Sequence, residues 1–185
     1  MGDPKRQKML YEPPLKLWDA ERIKDERALV REYGLKNMRE LWVIIYKLKK
    51  VRRTARKLIA QGDRKQKEAS QLMGRLIRLG IAKEGSALPD LLTLTVRDFL
   101  ERRLQTQVSK QGLARTLQQA RQLITHGFIA VGGKRVSSPS YIVTVDTASK
   151  ITYFKKIDLD VSSEIAEKPE GQAKPESGEA SAPSA

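Results

Sequence analysis

Between Thr116 and Val136 the chain carries a helix start, a helix stop and a hairpin turn in immediate succession. Thr116-x-x-Gln119 is a capping box, in which the threonine hydroxyl accepts from the third helical amide and the glutamine reaches back to the amide of the cap. Leu117, Ala120, Leu123 and Ile124 recur at three- and four-residue spacing and form one apolar stripe. Gly127 is the residue that tolerates the left-handed conformation ending such a helix, so the spacing predicts a helix over Leu117–His126. Phe128 to Val131 changes to a β-favouring run, Gly132-Gly133 supplies two positive-φ residues for a tight turn, and Lys134-Arg135-Val136 starts the return strand. A chain in this order lays a helix on a small sheet, which is an α+β arrangement.

The polar residues of the same stretch share one sign. Arg115, Arg121, Gln122 and His126 fall off the apolar stripe, and Lys134 and Arg135 flank the hairpin. Thr116, Ser140 and Tyr141 add hydroxyls, and no Asp or Glu occurs between Arg115 and Val145. A cationic surface with no internal counter-charge suits the phosphates of RNA or DNA. A basic face that is merely solvated is the bland alternative. His126, in the last helical turn, serves either a phosphate contact or helix capping and packing.

A second basic feature lies upstream. Asp19 caps a helix that includes Ile23, Leu29 and Val30 and ends at Tyr33-Gly34. Asn37-x-x-Glu40 opens another, by a second capping box. Leu41, Ile44, Ile45, Leu48, Val51, Ala55, Leu58 and Ile59 then hold a helical stripe for about five turns. On its other side stand Lys47, Lys49, Lys50, Arg52, Arg53, Arg56 and Lys57, with no acid among them. This run forgoes every i to i+4 ion pair, which points to phosphate contact rather than solubility alone.

Gly62 breaks that helix, and Asp63 is the expected cap of the next, whose apolar side is Leu72, Met73, Leu76, Ile77 and Leu79. Arg64, Lys65, Lys67, Arg75 and Arg78 give it a basic side. After a loop over Gly80–Pro89 and a packed connection at Leu91–Leu94, Thr95-x-x-Asp98 opens a single helix with Val96, Phe99, Leu100, Leu104 and Val108 on one side, ended by Gly112. Tyr141–Val145 and Ile151–Phe154 read as strands about an Asp146–Ser149 turn. Ahead of all this, Lys5, Arg6 and Lys8 precede Pro13-Pro14, with Tyr11 and Trp18 among the charges. Such an arm fits stacking on bases, packing on its own domain, or a solvated terminus.

Charge is unevenly spread. From Asp158 on, Lys168 and Lys174 face Asp158, Asp160, Glu164, Glu167, Glu170, Glu176 and Glu179, a net of −5. With +14 over all 185 residues, the part before Asp158 carries +19, and a polyanionic partner relieves that self-repulsion. The acidic segment lacks apolar periodicity and is expected to be disordered. The organisation expected is a basic arm and helical part over 1–94, a small module over 95–157, and an acidic tail over 158–185.

Catalysis finds little support. There is no cysteine and one histidine, so thiolate nucleophiles, paired imidazoles and histidine metal clusters are excluded. Gly132-Gly133 is not a phosphate loop, and acids such as Asp90, Asp98 and Glu101 occur singly. No cofactor, metal or small-molecule substrate is expected. The longest apolar run, Leu41–Tyr46, is far below a membrane span, so a soluble cytoplasmic protein is expected.

The run from Gly112 to Tyr141, G-L-A-R-T-x-x-Q-A-R-Q-L-I-x-H-G followed by I-x-V-x-G and P-S-Y, closely resembles the RNA-binding module named after small-subunit ribosomal protein four. GDPKRQ near the start, EYGLKN and RRTAR resemble the archaeal and eukaryotic branch of that family. The likeness extends to about Ile157; the chain lacks the N-terminal cysteine knuckle of some bacterial members. The resemblance implies a structural protein of the small ribosomal subunit, a primary binder of the rRNA five-prime domain that nucleates assembly. It also implies a neighbour, ribosomal protein five, at an interface affecting decoding accuracy. The alternatives are a free-standing ribosome-associated RNA-binding factor and a fragment of an RNA-modifying enzyme, such as a pseudouridine synthase, bearing the same module. On the family reading, Arg115, Arg121, Lys134 and Arg135 clamp phosphates, Gln122, Ser140 and Tyr141 donate to ribose or backbone, and Lys47–Lys57 grips a second RNA segment.

Overall fold

A computed structural model of the chain describes residues 9–155. The arm residues Lys5 and Arg6, and the tail from Asp158, therefore lie outside the described residues. Seven α-helices and three short strands occur among those described: α1 Ala20–Glu32, α2 Met38–Gln61, α3 Gln66–Arg78, α4 Val96–Glu101, α5 Leu104–Lys110, α6 Leu117–Thr125, β1 Ile129–Val131, β2 Lys134–Arg135, α7 Val145–Ala148 and β3 Ile151–Tyr153. The fold is α+β, helical first and then helices against a small antiparallel sheet of order β2-β1-β3.

Two apolar cores hold it together. The first gathers Leu41, Ile44, Leu48 and Ala55 of α2 with Tyr33, Leu35, Leu76, Leu91, Phe99 and Leu100. The second joins Leu104 and Val108 of α5 to Ala120, Leu123 and Ile124 of α6 and to Ile129, Val131, Val143 and Ile151. The expected stripes of α2 and α6 thus face the cores, except that Ile59, at the far end of α2, is exposed.

Local signals act largely as the residues imply. The Asp19 carboxylate accepts from the Arg22 amide at 3.4 Å and starts α1. The Thr116 hydroxyl accepts from the Gln119 amide at 3.1 Å and starts α6. Gln119 Oε1, however, accepts from the amide of Arg115 rather than that of the cap. Gly132 and Gly133 both have positive φ, and Val131 pairs with Lys134 across a two-residue turn. Asp98 accepts from the Thr95 amide at 2.7 Å, as its box requires.

Four expectations fail, three of them through long-range contacts. Asn37 makes no side-chain cap bond, the Glu40 amide donating to the Asn37 carbonyl at 3.1 Å, and Glu40 turns its carboxylate to two arginines rather than back to the cap. After Gly62 the chain makes a 3-10 turn over Gly62–Lys65, and Lys65, not Asp63, is the cap of α3. The single helix expected from Val96 is two, because Arg103 is extended at φ −70°, ψ 145° and bridges Ile142. The amide of Leu104 then donates to the carbonyl of Tyr141 at 2.7 Å, so backbone pairing outcompetes helix continuity. For the same reason Tyr141–Val145 is no strand: Ile142 supplies that lone bridge, and Val145 already begins α7.

Candidate nucleic-acid interface

The basic side of α2 is a consequence of its length and stripe. With Leu41, Ile44, Leu48, Ala55 and Leu58 buried, 3.6 residues per turn leave the cations on the remaining circumference. Lys49, Lys50, Arg53, Arg56 and Lys57 are exposed. Among the described residues none of them forms an ion pair. Arg52 is different: its Nη2 donates at 2.5 Å to the carbonyl of Leu94, tying α2 to the connection before α4.

Lys47 lies at a cleft of about 750 Å³ between α2, α3 and the Ser140–Ile142 segment. Desolvation lowers its pKa below the usual 10.5, and the nearby positive charges of Arg103 and Arg75 lower it further. Ser140 also lines this cleft, so the fold brings that residue to the α2 cations Lys47 and Lys50. Its Oγ shares a 3.1 Å hydrogen bond with Ser138.

At the module, Gly127 has φ +76°, and its missing side chain leaves room for the Arg135 guanidinium. Arg135 donates to the carbonyl of His126 at 3.4 Å, which brings hairpin and helix end together. His126 is exposed as the helix cap, with its ring 6.5 Å from that of Phe128. Lys134, Gln122 and Arg115 are exposed as well, and Tyr141 is half-exposed. Thr116 is exposed, with its hydroxyl engaged as the cap.

Arg121 stands apart from that group. Its Nη2 meets Glu40 Oε1 at 2.5 Å, and its Nη1 contacts Gln105 Oε1 at 3.4 Å. Arg103, only 2% exposed, donates to the other oxygen of Glu40 at 2.7 Å. Burial alone would raise the Glu40 carboxyl, but the Arg121 and Arg103 guanidiniums outweigh it and hold the pKa below 4.5. Beside this triad, Gln105 Nε2 donates at 2.9 Å to the carbonyls of both Gly34 and Leu117. Gly34, at φ +59°, permits that approach, since a Cβ there would press on Leu117 and Gln105. Arg121 is thus a docking residue between helical part and module, not the freely presented donor expected from its place off the stripe.

The triad was legible in one respect. Arg103 falls between Phe99, Leu100 and Leu104 in the apolar stripe, and a cation there demands a buried partner. Nothing local named Glu40 as that partner. Among the described residues no helix is long and apolar enough to cross a membrane, and no cluster of side chains could hold a metal ion.

Comparison with known proteins bears on the whole chain. The S4 domain family model matches residues 102–148. A small ribosomal subunit protein uS4 from Ignicoccus hospitalis is 47% identical over 154 residues, 83% of this chain and 93% of that protein. The chain belongs to the uS4 family. The uS4 of Methanothermobacter thermautotrophicus is 44% identical over 90% of this chain and 98% of its own length. That of Saccharolobus islandicus is 46% identical over 97% of both. The uS4 likeness therefore includes the α1–α3 part that lies outside the S4 domain match.

Proposed function

We propose that the chain is a non-enzymatic structural constituent of the small ribosomal subunit that binds rRNA through two cationic surfaces, the outer side of α2 and the α6–β2 corner. The relatives' names support the location, since each is a small ribosomal subunit protein. The observation that carries direct RNA contact is the α2 side itself, exposed cations in sequence with no ion pair among the described residues. Evolution of a merely soluble helix would be served as well by mixed charges. Two footholds held at a fixed separation recognise a folded junction by shape, as structured RNA requires. The RNA proposed is the five-prime domain of the small-subunit rRNA, bound early enough to nucleate the subunit body in the cytoplasm. Ribosomal protein five is the proposed protein neighbour, through which decoding accuracy is affected.

A salt series of binding to that rRNA domain, with an equal mass of tRNA as competitor, tests this reading. Each phosphate contact contributes roughly −0.7 to −0.9 to the slope of log affinity against log salt. Binding that survives competitor at physiological salt is expected. Equal loss to tRNA would return the chain to a generic RNA-binding factor or a module-bearing enzyme fragment.

A further inference from the structure

The cleft between α2, α3 and the Ser140–Ile142 segment has a floor of Val43, Ile44, Leu72, Leu76 and Phe99. Lys47, Lys50, Arg75 and Arg103 stand around it, and Glu40 is the one acid among the described residues lining it. Glu40 is already shared by Arg103 and Arg121. Arg103 nonetheless keeps Nε and Nη1 buried without a hydrogen-bond partner. The cleft therefore presents net positive charge over an apolar bed, a combination that asks for an occupant both anionic and apolar.

This chain contains such a segment. In Ile157-Asp158-Leu159-Asp160-Val161, apolar and acidic residues alternate, and Glu164-Ile165 follows. In an extended strand successive side chains take opposite sides, so Ile157, Leu159 and Val161 can lie on the floor while Asp158 and Asp160 turn to the cationic rim. We propose that Ile157–Ile165 docks in this cleft and competes there with external anions. From Lys155, Ile157 extends roughly 7 Å, Val161 roughly 20 Å and Ile165 roughly 33 Å. Leu10 of the N-terminal arm lines one side of the cleft, and Lys5, Arg6 and Lys8 ahead of it have the same sign as the rim and offer it no counter-charge. The inference does not rest on rRNA being the partner, because its test contains no RNA.

The chain has no cysteine, so Ser163→Cys in the full-length protein gives one attachment point for a nitroxide. Broadening of methyl signals is then read by NMR. Val43, Val51, Leu72 and Leu76 should broaden while Ile129 and Val131 in the second core stay sharp. The effect should fade as salt is raised and vanish in Lys47→Gln/Arg75→Gln, whose unlabelled spectrum checks that the fold persists. Unbroadened cleft methyls would overturn the proposal, as would broadening centred on the Lys134–Arg135 hairpin. Broadening that appears only with rising protein concentration would also overturn it, by making a second copy the occupant.

Discussion

At Gly127 a single hydrogen atom decides where a phosphate-binding candidate sits. The residue is at φ +76°, and a Cβ would collide with the Arg135 guanidinium that now lies over it. Gly127→Ala should cost about 1–2 kcal/mol from the left-handed conformation, measured by urea unfolding, and should displace Arg135 from its bond to the His126 carbonyl. RNA affinity should fall in the same variant, by about as much as in Arg135→Ala. Glu40 decides a different matter. Its carboxyl pKa is depressed by the two guanidiniums against the effect of burial, so its contribution to stability is complete above pH 4.5 and is lost as pH falls through the lower folded value. Glu40→Gln should remove that acid-side slope, seen by comparing denaturation midpoints across pH 3 to 6. At neutral pH it should cost about 1–3 kcal/mol, since Arg103 stays buried with its partner's charge gone.

Helix α2 is the element that serves both core and surface. Its stripe is buried from Leu41 to Leu58, and Ile59, at the margin of that face, is the one stripe residue left exposed. Leu41→Ala should therefore cost about 2–5 kcal/mol, and Ile59→Ala less than about 1 kcal/mol, in urea unfolding of the full chain. Its capping box and the break between α4 and α5 show the limits of reading one element at a time. The Thr95 and Thr116 caps were legible because each is closed within one turn. The reciprocal half of the Asn37 box was not, because the Glu40 carboxylate has a stronger partner in charged hydrogen bonds to Arg103 and Arg121. Likewise Val96 to Lys110 has helical spacing throughout, yet Arg103 gives up the helix to pair with Ile142, a contact from beyond the hairpin.

Across the whole molecule, two cores meet at the Glu40 triad and the Gln105 bridge, which join α1 and α2 to α5 and α6. That docking sets the spacing between the two cationic surfaces. If the outer side of α2 grips RNA, Lys49→Gln/Arg53→Gln/Arg56→Gln should make the salt slope shallower by roughly 2 to 3 units. Circular dichroism should show the helix content unchanged, because all three side chains are exposed. The sequence by itself determined the α6 helix, its glycine stop, the two-residue hairpin and the segregation of α2 into apolar and basic sides. Each of these is settled by groups within a few residues of one another, where steric allowance and local hydrogen bonding leave little choice. Only the tertiary structure decided that Arg121 is a docking residue, that Arg103 is buried, and that Ser140 lines the α2 cleft. A guanidinium takes the strongest acceptor that reaches it in a half-buried site, and for Arg103 and Arg121 that acceptor is a carboxylate 63 and 81 residues away.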